Sequence, residues 1–329
     1  WVPGCKKLAR GRRRLQHYGQ NNHGRKPAGD SRKLRNNAMA ISVKEIKEGF
    51  VGEVSGVDLT KPLSREEAEA IEAAIAKLGV LVFHDQELTD EQQIEFSKNF
   101  GGIENKKGGN IRTEERANPL INDVSNLDNK NQPFDRTDRR RYFNLGNHLW
   151  HSDSSFRAIP AKYSLLSARS IPTEGGNTEF ADMRAAYDAL DDKMKAKVED
   201  LICEHSQIYS RGKLGFTFND EELELMKPVR QSMVRTHPVS GRKSLYLSSH
   251  AGTIIGWPVP EARLFLLNLN EFATAKRFVY AHQWRVNDLV MWDNRVTMHR
   301  ARDFDETQKR DMRRTTVAGE AMTAEQAAA

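Results

Sequence analysis

The stretch NHLWHSDSSF, residues 147–156, sets a histidine and an aspartate two positions apart directly after a tryptophan. In an extended strand side chains alternate between faces, so His151 and Asp153 would share one side, about 6 to 7 Å apart along the backbone, and two such side chains can grip one metal ion. The pair alone is more readily read as a solvated strand face with salt-bridged side chains. A third ligand is available in LVMWDNRVTMHRARDF, which reads as a strand, a turn at Asp293-Asn294 and a second strand carrying His299. Two histidines and one carboxylate occupy one face of a metal and leave three positions open, which suits non-haem Fe(II) oxygen chemistry. Arg310 and Arg314 follow in QKRDMRRTTV. On a strand, residues four apart share a face, and two rigid guanidinium forks aimed at one cavity would anchor a dicarboxylate beside the metal. The plainer alternative is that both decorate an exposed C-terminal strand.

The elements that must position these groups are visible in local pattern. GFVGEVSGVDL alternates apolar with small or polar residues, as in a β-hairpin. Ser64 and Glu67 form a capping box before a helical run that stops at Gly79, VLVFHD reads as a buried strand, and Thr89 with Gln92 opens a second helix. Residues 101–147 are polar and irregular, a long connection of the kind that is usually functional or mobile. From residue 161 short strands dominate (KYSLLSARSI, MVRTHP, SLYLSS, FVYAHQW, DLVMWD), interrupted by two helical segments over 182–201 and 260–275. Strands on both sides of inserted helices favour an antiparallel barrel or jelly roll over an alternating βαβ sheet, hence a mainly β fold with flanking helices.

Composition narrows the function classes. The 329 residues carry a formal charge of +6, but 11 of the 51 Lys and Arg fall in residues 1–38 against one acid, Asp30, leaving 40 basic and 44 acidic residues after them. We read 1–38 as a disordered basic head ahead of a single domain over 39–329, with patterned sequence starting at Met39. No aromatic platform accompanies the head, so a nucleic-acid partner is not expected. A mean hydropathy of -0.69 and the lack of an 18-residue apolar run exclude a membrane-spanning helix. Two cysteines, Cys5 and Cys203, make no disulfide framework, and a reducing cytoplasm is the compartment this implies.

LWHSDSSF, GGNTEFADMRAAYDAL, VMWDNRVTMHRA and RDMRRTTV, in this order, resemble the Fe(II)/2-oxoglutarate-dependent dioxygenases of the taurine dioxygenase family, above all its 2,4-dichlorophenoxyacetate dioxygenase branch, from about Gly49 to Val317. The resemblance implies a double-stranded β-helix, a jelly roll of cupin type, with iron at its open end. It implies His151, Asp153 and His299 as iron ligands, and Thr178 and Arg310 as the holders of the distal carboxylate of 2-oxoglutarate. Arg314 would face both the co-substrate and the acidic group of the substrate. Asn147 matches a position at the substrate and Phe156 an aromatic wall. The implied reaction consumes O2 and 2-oxoglutarate, hydroxylates the carbon beside the ether oxygen of an aryloxyalkanoate, and yields a phenol and glyoxylate with succinate and carbon dioxide. His205, Arg211 and His250 match polar positions of this branch and are candidates for a substrate carboxylate, although each histidine is as readily a hydrogen-bonded residue near a strand end. Lys107, Asn110 and Arg112 lie in the variable loop that closes over the substrate in the family. Members are commonly oligomers, so a homo-oligomer is expected.

Two other readings remain at this level. One is release of sulfite from taurine or an alkylsulfonate by the same iron chemistry. The other is a non-enzymatic barrel that binds small anions.

Overall fold

Residue alternation explains the two-layered architecture of the computed structural model, which describes residues 41–105 and 116–327. One sheet has seven strands in the order Ser42–Lys47, Val51–Ser55, Val80–Phe83, Leu289–Asp293, Ala161–Ser170, Asp311–Ala318 and Asn122–Asp123. All its pairings are antiparallel except that between Val51–Ser55 and Val80–Phe83. Three smaller sheets include the one that matters most for the site, ordered Val279–His282, Thr178–Asp182, Thr297–Ala301. In the central strand LVMWD, Val290 and Trp292 enter one apolar cluster with Phe180 of the smaller sheet, while Leu289 and Met291 enter another with Ile71 and Ile75. A period of two thus sends alternate side chains between the sheets and beneath the helices. The described elements belong to one unit, Met39–Ala329. Two sheet layers with helices outside them are the jelly roll expected from the sequence.

Helix Arg65–Leu78 begins where the capping box predicts: Ser64 accepts from the Glu67 amide and the Glu67 carboxylate accepts from the Ser64 amide. It ends at Gly79, whose φ of 91° lies in the left-handed region open to glycine. Ser64→Ala is expected to cost about 1 kcal/mol, read as a lower urea midpoint at unchanged slope; an unchanged midpoint would show that tertiary packing alone sets this helix.

Two expectations need correction. The run 182–201 is not one helix but two, Met183–Asp188 and Asp192–Val198. Asp182 and Asp191 each accept amide hydrogen bonds as N-caps, so the second aspartate opens a new helix where periodicity alone reads straight through. Nor is 151–153 a strand. His151 makes an isolated bridge to His299, and the chain turns immediately afterwards at Ser154, whose φ is 54°. Among the described residues no helix is long and apolar enough to cross a membrane.

Candidate metal centre and its two cavities

The same alternation aims the chemistry. In Thr297–Ala301, Met298 packs beneath the helices and His299 therefore turns between the sheets. In the segment leading into Asp311–Ala318, Arg310 and Arg314 have the parity of the inward-facing Met312, whereas Thr315 reaches Ser97 of an outer helix. His151 joins this interior through reciprocal backbone bonds with His299, 3.0 Å from His151 N to His299 O and 2.8 Å in return. Ser152 anchors the next position by donating to the Thr297 carbonyl at 2.9 Å.

His151, Asp153 and His299 are buried, and one donor atom of each lies within 4.8 Å of the others. His151 Nε2 is 3.9 Å from one Asp153 oxygen and His299 Nε2 is 3.7 Å from the other. His151 Nδ1 lies 2.7 Å from the Leu149 carbonyl, which fixes the proton on Nδ1 and leaves the Nε2 lone pair for a metal. Burial lowers the pKa of His151 to about 4 and drives that of His299 well below its usual value, so both imidazoles are neutral ligands at neutral pH. Burial opposes ionisation of Asp153, but the Arg314 guanidinium and the two imidazoles outweigh it and hold the carboxyl at about 2. Two neutral imidazoles and one carboxylate, with their free lone pairs converging, fit a divalent iron.

Sequence pattern did not reveal what orients Asp153. Ser164 donates to its Oδ2 at 2.7 Å, Asn294 donates to Ser164 at 2.9 Å, and the Asp153 amide donates to Asn294 Oδ1 at 3.1 Å. Arg314 donates to Asp153 Oδ1 at 2.5 Å. The signal available in sequence was the polar turn Asp293-Asn294 after an apolar strand, too general to assign to the metal centre.

Two adjoining cavities reach the triad, with Asn147, His151 and Arg314 in the walls of both. The first, ≈ 800 Å³, is lined by His151, His299, Leu166, Trp292, Thr178, Arg310 and Arg314. Arg310 is buried and, among the described residues, has no carboxylate partner; its guanidinium donates only to the Val124 and Gly176 carbonyls, each at 3.4 Å. Burial lowers its pKa to about 10, still cationic at neutral pH. An unpaired buried guanidinium is costly unless an anion joins it. The second cavity, ≈ 600 Å³, is lined by Asp153, Asn147, Phe143, Phe156, Arg211, His250 and Arg314. Arg211 is likewise buried and lacks a carboxylate partner among the described residues, donating to Ser210 and, at 3.3 Å, to Asn147 Oδ1. Its pKa too is pushed down to about 10 by burial. Phe156 meets the His250 ring edge-on at 5.1 Å, and His250 Nδ1 lies 2.9 Å from the Ser210 hydroxyl.

The candidates from sequence thus divide. Thr178 and Arg310 line the first cavity, with Asn147 and Arg314 bordering both. Phe156, Arg211 and His250 line the second. His205 lines neither; it is buried and stacked on Tyr246 with ring centroids 5.9 Å apart. Lys107, Asn110 and Arg112 lie outside the described residues.

A jelly roll holding two histidines and a carboxylate on one face of a buried opening defines the class of facial-triad non-haem iron oxygenases. The chain belongs to the taurine catabolism dioxygenase TauD, TfdA family, which it matches over residues 42–316. It is 42% identical over 286 residues to the alpha-ketoglutarate-dependent 2,4-dichlorophenoxyacetate dioxygenase of Burkholderia sp. (strain RASC), covering 85% of this chain and 95% of that one. Identity to the alpha-ketoglutarate-dependent sulfate ester dioxygenase of Pseudomonas putida is 29% over 292 residues, covering 86% and 91%. The crystal structure of AAD-2 in complex with Mn(II) and N-oxalylglycine superposes with a TM-score of 0.85 at 59% identity, covering 87% of this chain and all of that one.

Proposed function

We propose that the protein is an Fe(II)- and 2-oxoglutarate-dependent dioxygenase that hydroxylates the carbon next to the ether oxygen of an aryloxyalkanoate such as 2,4-dichlorophenoxyacetate. The observation that carries this reading is a pair of buried guanidiniums, Arg310 and Arg211, that have no acid partner among the described residues and line two adjoining cavities beside one metal triad. Each guanidinium is suited to an anion, so the two cavities would take one anion each beside the same metal. A ketodiacid suits the first chamber, with its distal carboxylate on Arg310 and Thr178. A substrate bearing both a carboxylate and an aromatic ring suits the second, where Arg211 stands beside Phe143 and Phe156. N-oxalylglycine, the ligand held by the AAD-2 relative, is a diacid of the same length as 2-oxoglutarate.

In this assignment His151, Asp153 and His299 hold the iron. Bound iron, with 2-oxoglutarate and O2, supplies the oxidising power for the C–H bond. Arg211, with His250 and Asn147 beside it, fixes the substrate carboxylate, and the aromatic walls direct the ring away from the metal so that the carbon between them is presented. Arg314, paired with Asp153, borders both chambers. The hydroxylated ether carbon is a hemiacetal, whose C–O bond breaks to release the phenol and glyoxylate; the co-substrate leaves as succinate and carbon dioxide. We assign this activity to residues 39–329.

A substrate panel tests the reading. With 2,4-dichlorophenoxyacetate, phenol and succinate should appear in equal amounts, whereas taurine and an alkyl sulfate should give neither sulfite nor sulfate. Release of sulfite without phenol would replace this reading with the sulfonate one. Arg211→Gln should raise KM for the aryloxy acid about tenfold or more, as expected for losing a buried charge-assisted hydrogen bond, while KM for 2-oxoglutarate stays unchanged.

A further inference from the structure

Trp284 lies in the short segment after strand Val279–His282, where its indole looks at first like core packing. Its Nε1–H, however, donates to Thr178 Oγ1 at 3.0 Å, and both residues are buried. A threonine hydroxyl has one proton, and indole nitrogen can only donate. With its oxygen accepting from Trp284, Thr178 must direct its own proton elsewhere, and among the described residues the hydroxyl has no other partner. Thr178 borders the first cavity alongside Arg310.

The indole is itself held from behind. The His282 ring meets it edge-on, with centroids 4.6 Å apart at 88°. His282 Nε2 lies 3.0 Å from one oxygen of the fully buried Asp288, and His84 Nδ1 lies 2.6 Å from the other. The Arg285 amide donates to the same carboxylate at 2.9 Å. This cluster, buried at His282 and Asp288, takes no part in the metal centre, yet it packs against the ring whose N–H reaches Thr178.

We propose that Trp284 is a positioning residue for the co-substrate: by donating to Thr178 it aims the hydroxyl proton at the distal carboxylate of the ketodiacid held on Arg310. The inference rests on the first cavity being the 2-oxoglutarate site. It assigns the His84–Asp288–His282 cluster the task of holding the indole, and it makes Thr178 a directed donor.

Equilibrium binding of 2-oxoglutarate to the Mn(II)-loaded protein, followed by calorimetry without turnover, separates this from plain packing. Trp284→Phe keeps the ring and removes the N–H. We expect it to weaken 2-oxoglutarate binding about two- to tenfold, the effect of one neutral hydrogen bond, with Mn(II) affinity unchanged. Thr178→Val should weaken binding at least as much, and adding Trp284→Phe to it should cost nothing further, because the two act through one hydroxyl. Wild-type affinity in Trp284→Phe, or losses that simply add in the double variant, would overturn the proposal while leaving the cavity assignment standing. Full 2-oxoglutarate affinity in both Thr178→Val and Arg310→Met would overturn the cavity assignment and the proposal with it. Should Trp284→Phe not fold, replacing Trp284 with 3-benzothienylalanine, in which sulfur stands in place of the N–H, gives the same comparison.

Discussion

Asp153→Asn is expected to abolish turnover and to weaken Mn(II) binding by more than about a hundredfold, beyond the range seen when only an outer-shell partner of a metal ligand is lost. The substitution preserves size and the hydrogen bond from Ser164 but removes the sole anionic ligand of the triad. It also strips Arg314 of the carboxylate it contacts, so positive charge accumulates where a dication must bind. His151→Ala should act in the same direction by deleting the Nε2 donor that the Leu149 carbonyl orients. Succinate release and calorimetric Mn(II) titration are the measurements, with a thermal melt to verify folding. Normal turnover in a folded variant of either kind would remove the iron assignment.

Arg310→Met is expected to raise KM for 2-oxoglutarate about thirtyfold or more, because truncating one partner of a buried charge pair costs about 2–5 kcal/mol. The same change should leave the melting temperature unaltered or raise it. Burial lowers the Arg310 pKa to about 10, meaning that the folded protein without co-substrate disfavours the cation relative to the unfolded chain. Removing that charge thus relieves the folded state, whereas removing a structural arginine such as Arg184, fully buried and bonded to Asp182 and to the Lys77 and Leu78 carbonyls, would destabilise it. Added 2-oxoglutarate should raise the melting temperature of the Mn(II)-loaded wild type and have little effect on the variant, since a ligand stabilises only the state it binds. A drop in stability with unchanged KM would show that Arg310 is a packing residue.

Much of the fold and the metal centre was legible in the chain because its signals are local. Capping boxes at Ser64 and Thr89, the glycine stop at Gly79 and the short apolar strand LVMWD depend on neighbours within a few residues, and the structure repeats them. The ligand types and the spacing of Arg310 and Arg314 were visible in the same way. Local pattern failed where a side chain redirected the backbone. Asp191 opens a second helix inside a continuous periodic run, and Ser154 turns the chain directly after Asp153, so that a single bridge to His299 stands where a strand was expected.

By itself the sequence determined which groups are available: two imidazoles, a carboxylate, paired guanidiniums, and the alternation that turns His299, Arg310 and Arg314 inward. Tertiary structure alone decided how they are shared. The register of Thr297–Ala301 against Thr178–Asp182, and the bridge that sets His151 against His299, bring together segments nearly half the chain apart. Only that assembly places Arg310 in one cavity and Arg211 in its neighbour, pairs Arg314 with Asp153, and seats the Trp284 indole on Thr178. The physical reason is that periodicity specifies which face a side chain takes, whereas its partners are chosen by pairing and packing between distant strands, and no short window of residues contains that information.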